Sequence, residues 1–187
     1  MSLLWPERRT FRLAADSIEE LKSEISRTRR RTDFTVVLSN HFVRYAIVPR
    51  QDTATRDEEL ALARFHFAKI HGERAKAWEV RLSGNLACAI DSALLSDLKQ
   101  CFAGTKARLV SVQPYLMWAY NQARRRIARE GAWLVLPEQG RVCLARLAAR
   151  GWAWVHNGRE TEWQPLIERE KSRASGEPLP SQVLVLS

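Results

Sequence analysis

Chemistry has few places to reside in this chain. His66 and His71 stand five apart on one helical stretch, off the i, i+4 spacing that lets two ligands share a metal. Asp91 closes an apolar run, where a metal-binding carboxylate can sit. A two-metal nuclease needs several carboxylates meeting at one point. The first β-rich run carries none, and Asp33 precedes it. Asp91 therefore reads as the cap of the helix that starts beside it. Gly104-Thr105-Lys106 has neither the order nor the leading glycine of a phosphate-binding loop, and no Gly-x-Ser-x-Gly elbow exists. Asp-x-Gly, Gly-x-Gly and Gly-Gly are all absent. Such bare turns let backbone N–H groups approach a phosphate closely. The nearest remnant is Glu138-x-Gly140, directly after Pro137.

Cys88, Cys101 and Cys143 form no Cys-x-x-Cys, and each lies in an apolar context, so they read as buried reduced thiols. The expectation is thus a protein with no catalytic residue, no metal and no cofactor.

Composition sets the class. The chain has 187 residues, 45% hydrophobic and 27% charged, which suits a soluble globular protein. Apolar runs such as Leu86–Ile90 and Trp133–Leu136 are far shorter than the roughly 20 residues that span a bilayer. Glu7, Arg8 and Arg9 stand where a signal peptide needs apolar residues. A cytoplasmic location without an anchor is expected.

The net charge is +9, from 30 Lys and Arg against 21 Asp and Glu. The excess clusters in Arg27-Thr28-Arg29-Arg30-Arg31 and in Arg124-Arg125-Arg126 with Arg129. Both clusters fall at the ends of expected helices, where cations complement the helix dipole. They are also candidate contacts to a polyanion or an acidic partner. Seven tryptophans are a second candidate surface. Alternation puts Trp152 and Trp154 on one sheet face and Ala153 on the other. That face either meets a partner or packs under the helix carrying Trp163.

The positioning elements follow from periodicity. A helix is expected over 16–31, capped by Asp16 or Ser17, with arginines in its last turn. Strands 35–39 and 42–48, turned at Asn40-His41 and stopped by Pro49, are expected to form an antiparallel hairpin. A polar loop, 50–54, leads to the capping box Thr55-x-x-Glu58. Its helix runs to His71 and ends at Gly72. Strands 78–82 and 86–90 flank the turn 83–85. A helix from Ser92 to Gly104, strand 108–112 and a helix from Pro114 to Gly131 follow. The rest is a meander, 133–136, 142–147 and 151–156, with turns at 138–140 and at Asn157-Gly158. A helix over 162–171, a polar loop over 172–181 and a last strand over 183–186 close the order.

Two meanders that each feed helices resemble the actin-like, ribonuclease H-like plan. The segment from Val36-Val37-Leu38-Ser39 to Pro49, with the acidic start Asp57-Glu58-Glu59, resembles the inserted subdomain of the pilus assembly protein PilM. It is also similar to the cytoplasmic part of the secretion protein GspL. Residues 86–123 and 133–155 resemble the same families' strand–helix–strand–helix segment and phosphate-hairpin meander. The resemblance implies an α/β (α+β) fold of two mixed-sheet lobes with flanking helices. It divides the chain into an N-terminal helical segment (1–33), an inserted-subdomain and first-lobe region (34–131) and a second meander with helix and strand (132–187).

The departures shape the functional expectation. PilM-like chains open on a strand bearing Asp-x-Gly, and no such strand is recognisable in the first fifteen residues. Their second Asp-x-Gly falls where this chain has Pro137-Glu138-Gln139-Gly140. The expectation is a non-enzymatic scaffold for protein partners of a pilus or secretion machine, or for self-association. The arginine clusters offer nucleic-acid binding as an alternative, and Glu138 with Gly140 offers a divergent ATPase.

Overall fold

The computed structural model describes residues 6–14, 17–49, 55–174, 176 and 178–186. Asp16 and the loop 50–54 lie outside the described residues. Sheet A joins three parallel strands in the order β1-β2-β6: β1 (Glu7–Leu13), β2 (Thr32–Leu38) and β6 (Ala107–Pro114). Parallel strands need crossover helices, and a central one is covered on both faces. β2 fits: six of its seven residues are buried. α1 (Ile18–Ser26) makes the crossover from β1 and buries Leu21 and Ile25 in the main core. Ser17 stands at its N-cap, but its hydroxyl accepts from Ala14 N (2.8 Å) and bonds to Ala14 O (3.2 Å) without capping the helix.

Two expectations change here. A first strand is present. Its polar, alternating ERRTFRL reflects an edge position that buries only Leu13. It pairs in parallel with β2, so 7–13 and 32–38 belong to one sheet. α1 stops at Ser26, and the arginines that follow lie beyond its last turn.

Sheet B is antiparallel in the order β3-β5-β4, from β3 (Val43–Ile47), β4 (Trp78–Ser83) and β5 (Leu86–Asp91). The expected hairpin of 35–39 with 42–48 does not form, because β2 pairs within sheet A and β3 with β5. The chain turns at Asn40-His41 but changes sheets there. Nearly all of β2 is buried, and as the central strand of sheet A it has both backbone edges paired, by β1 and β6. α2 (Arg56–His71) packs Ala63 and Phe67 onto sheet B. Its capping box is formed: Glu58 N donates to Thr55 Oγ1 (3.3 Å), and Thr55 N donates to the Glu58 carboxylate (2.7 Å).

α3 (Ser92–Phe102) starts at Asp91, whose carboxylate accepts from Ala93 N at 2.8 Å, as the sequence predicts. α4 (Tyr115–Ala123) follows Pro114 and passes into a 3-10 turn over Arg124–Arg126, shorter than the helix expected to reach Gly131. Gly131 instead opens the next strand. Its φ is 108°, and a Cβ there would lie 2.0 Å from Leu147 O.

Sheet C has the order β10-β7-β8-β9. The antiparallel meander of β7 (Gly131–Glu138), β8 (Arg141–Ala148) and β9 (Gly151–Gly158) gains β10 (Val183–Val185), parallel to β7. One face joins sheet A in the main core through Leu134, Leu136 and Ala145. The other face packs Trp133, Val135 and Leu144 under Leu166 and Ile167 of α5 (Gln164–Arg173). On that face Arg146 and Glu170, both buried, pair at 3.6 Å, and the Arg146 guanidinium stands 6.0 Å from the Trp133 ring. Among the described residues, no helix is long and apolar enough to cross a membrane.

Leu134 is fully buried between sheets A and C. Leu134→Ala should cost about 2–5 kcal/mol, read as a lower denaturant midpoint with an unchanged slope. Arg108 Nε and Nη2 each donate to an Asp33 oxygen at 2.9 Å, which holds that carboxyl below its usual range. This stabilisation is fully present above the ordinary aspartate value near pH 4 and fades as pH falls through the folded value. Asp33→Asn should therefore flatten the acid limb of stability against pH, measured by denaturant midpoints below about pH 5.

Candidate functional site

The ends of β1, β2 and β7 converge at a polar junction. Glu138, the last residue of β7, accepts from Asn40 N at 3.0 Å. Asn40 is fully buried, and its Oδ1 accepts the Tyr45 hydroxyl at 2.7 Å. Burial holds the Tyr45 phenol well above its ordinary pKa, so it remains a donor. His41 Nε2 lies 3.2 Å from Gln139 O. Nearby, the Arg12 guanidinium sits over the Tyr115 ring at 4.2 Å, and the two residues share with Glu138 a cavity of about 60 Å³. One oxygen of the carboxylate that the resemblance places at a phosphate loop accepts the Asn40 backbone N–H.

The same junction runs along a seam between sheets B and C. β3 and β9, each an edge strand of its own sheet, lie side by side without a shared ladder. Asparagine side chains bridge both ends. Asn157 Nδ2 donates to Asn40 O (2.8 Å) and Val43 O (2.9 Å). At the other end Asn85 Nδ2 donates to Trp152 O (2.7 Å), and Trp152 N donates to Asn85 Oδ1 (3.1 Å). Gly151 has φ 129°, and a Cβ on it would meet Asn85 Oδ1 at 2.9 Å. The expected Asn157-Gly158 turn is thus the end of β9, and its amide works as a bridge.

A longer concavity follows β6. One hollow of about 460 Å³ lies between Ala107–Val112 and Lys99, Phe102 and Ala103 of α3. A second, of about 490 Å³, lies between α3, Val112, Pro114 and the sheet B residues Arg81, Cys88 and Ile90. Lys99 and Val112 line both hollows. β6 pairs only with β2 among the described residues, so its outer edge is open there, and Val110 is 47% exposed. No local signal in residues 107–114 marks this open edge. Its ARLVSVQP, unlike the strongly polar β1, does not single it out as an edge strand.

The singled-out residues divide. Trp152 and Trp154 do not share a face, because a β-bulge in the pairing with Arg146 and Leu147 shifts the alternation between them. Trp152 is buried in the main core, 5.0 Å from the Tyr120 ring. Trp154 packs against Trp133 and Trp163 in the α5 cluster. Arg29, Arg30 and Arg31 are exposed before β2, and Arg124, Arg125, Arg126 and Arg129 are exposed before β7. Gln182 fixes the second turn by donating to Arg126 O at 2.9 Å and accepting from Ala128 N at 3.0 Å. His66 and His71 both flank the Phe67 ring, and the described residues hold no group of three or more metal-binding side chains.

No protein-family model matches the sequence, and no curated protein matches it. Solved structures do. A Bacteroides thetaiotaomicron protein with an actin-like ATPase fold and unknown function superposes with a TM-score of 0.57 at 9% identity, over 95% of this chain and 80% of that one. The cytoplasmic domain of EpsL, an inner-membrane component of the type II secretion system of Vibrio cholerae, gives 0.52 at 15% identity, over 95% and 82%. The PilM–PilN type IV pilus biogenesis complex gives 0.53 at 13% identity, and 85% of this chain spans about half (52%) of the PilM–PilN chain it matches. The chain has the actin-like fold that its element order predicts.

The seam is open to direct test. Gly151→Ala strains a left-handed backbone and pushes Asn85 from Trp152, so it should lower stability by about 1–3 kcal/mol. Combined with Asn85→Ala, the loss should be less than the sum of the two single losses, because both act on one bridge.

Proposed function

We propose that this chain is a non-catalytic scaffold that receives a protein partner along β6, as one component of a pilus- or secretion-like machine. The observation that carries the reading is the open edge of β6 with its adjoining hollows. An extended segment added there gains a ladder of backbone hydrogen bonds, and its alternate side chains enter the groove. Lys99 on the rim favours a segment carrying a carboxylate.

Two further observations support a role without nucleotide hydrolysis. Glu138 is engaged with Asn40 N, and the hollow beside it is about 60 Å³, small beside the roughly 300 Å³ or more of ordinary ligand pockets. The turn there offers Pro137 and Gln139 in place of the bare backbone that wraps a phosphate. The similarity to EpsL and to the PilM–PilN complex supports the choice of machinery.

ATP with magnesium should neither raise the melting temperature nor release phosphate; tight ATP binding would overturn the non-catalytic reading. For the groove, the exposed Val110 is changed to Asp. A protein retained by the parent from an extract of its own cells should be lost by Val110→Asp, while the melting temperature stays the same. Equal retention by both would exclude β6 as the docking edge.

A further inference from the structure

The acids near the arginine-rich turn after α1 are already engaged. Arg9 holds Glu7 and Glu24, and Arg108 holds Asp33 through both oxygens. Arg8, Arg27, Arg29, Arg30, Arg31 and Lys106 remain, all exposed and none in a hydrogen-bonded carboxylate pair among the described residues, with Arg8 and Arg31 adding only to the field on Asp33. They come from β1, from the α1–β2 turn and from the approach to β6.

The fold brings them to one edge. Register sets Arg8 opposite Asp33 and Asp33 opposite Arg108. Thr32 N donates to Lys106 O at 3.3 Å, and Lys106 Nζ reaches Arg29 O at 3.2 Å, which ties the turn to the start of β6. Neighbouring strands lie roughly 4.8 Å apart, so the cations stand in a close row. This row occupies the starting ends of the sheet A strands, and the Glu138 junction lies at their finishing ends.

The chemistry of the row is narrow. Guanidinium forks match phosphate oxygens in pairs. Segments 6–9, 26–33 and 104–108 carry no aromatic side chain. Among the described residues, the row therefore has no platform on which single-stranded bases stack and no aromatic wedge for a base step. Among the described residues it also lacks the aromatic anchor by which interfacial segments hold a bilayer. We propose that this surface binds the phosphodiester backbone of double-stranded nucleic acid without reading its sequence.

The test is the salt dependence of binding to a labelled mixed-sequence duplex, followed by fluorescence anisotropy. Each phosphate contact contributes about 0.9 to the slope of log affinity against log salt. Arg29→Ala/Arg30→Ala/Arg31→Ala should lower the slope by about 2.7. The charge-matched Arg64→Ala/Lys69→Ala/Arg74→Ala, on α2 and the turn after it, should leave the slope unchanged. Three results overturn the proposal: no duplex binding at low salt, equal weakening in both variants, or retention by phosphatidylserine vesicles but not by duplex.

Discussion

Two edge strands that share no backbone ladder hold the sheets in register. β3 and β9 run side by side, and an unpaired edge buried there would strand N–H and C=O groups away from water. Asn157 satisfies the carbonyls of Asn40 and Val43, and Asn85 satisfies both backbone groups of Trp152. An asparagine amide carries a donor and an acceptor in the geometry of a peptide group, so it can close a ladder that the backbone leaves open. Gly151 permits the approach at one end, because any side chain would occupy the place of the Asn85 oxygen.

From this seam follows the character of the junction. With β3 fixed against β9, the 39–42 turn lies on the β7–β8 turn, and Asn40 meets Glu138. A carboxylate that accepts a buried N–H is a structural part. Removing it costs the desolvation of that donor. The polar groups at the meeting of the lobes mostly bond to one another. Among the described residues the buried Asn40 Nδ2 is left without a hydrogen-bond partner there, and further capacity for interaction lies in the open edge and hollows along β6 and in the cations at the starting ends of sheet A.

Much of this was legible in the residues. The capping box at Thr55 and Glu58, the Asp91 cap, the apolar 86–90 strand and the 131–158 meander follow from local periodicity and local hydrogen-bonding chemistry. These signals need only neighbours along the chain. The same order of elements pointed to the actin-like plan, and the lack of bare turns is plain in the sequence.

The rest was set by partners distant in sequence. β1 is strongly polar and becomes a strand only because β2 offers it an edge. The stretch 35–48 carries a good hairpin signal, yet β2 and β3 enter different sheets, because β1 and β6, distant in sequence, take both backbone edges of β2. Trp152 and Trp154 part company through one bulged residue, which no alternation rule anticipates. The sequence by itself determined the elements and the want of a phosphate-wrapping turn, since both are local properties of the chain. Only the tertiary structure decided which edges pair, which stay open and which charges find partners, because those depend on contacts between residues tens of positions apart.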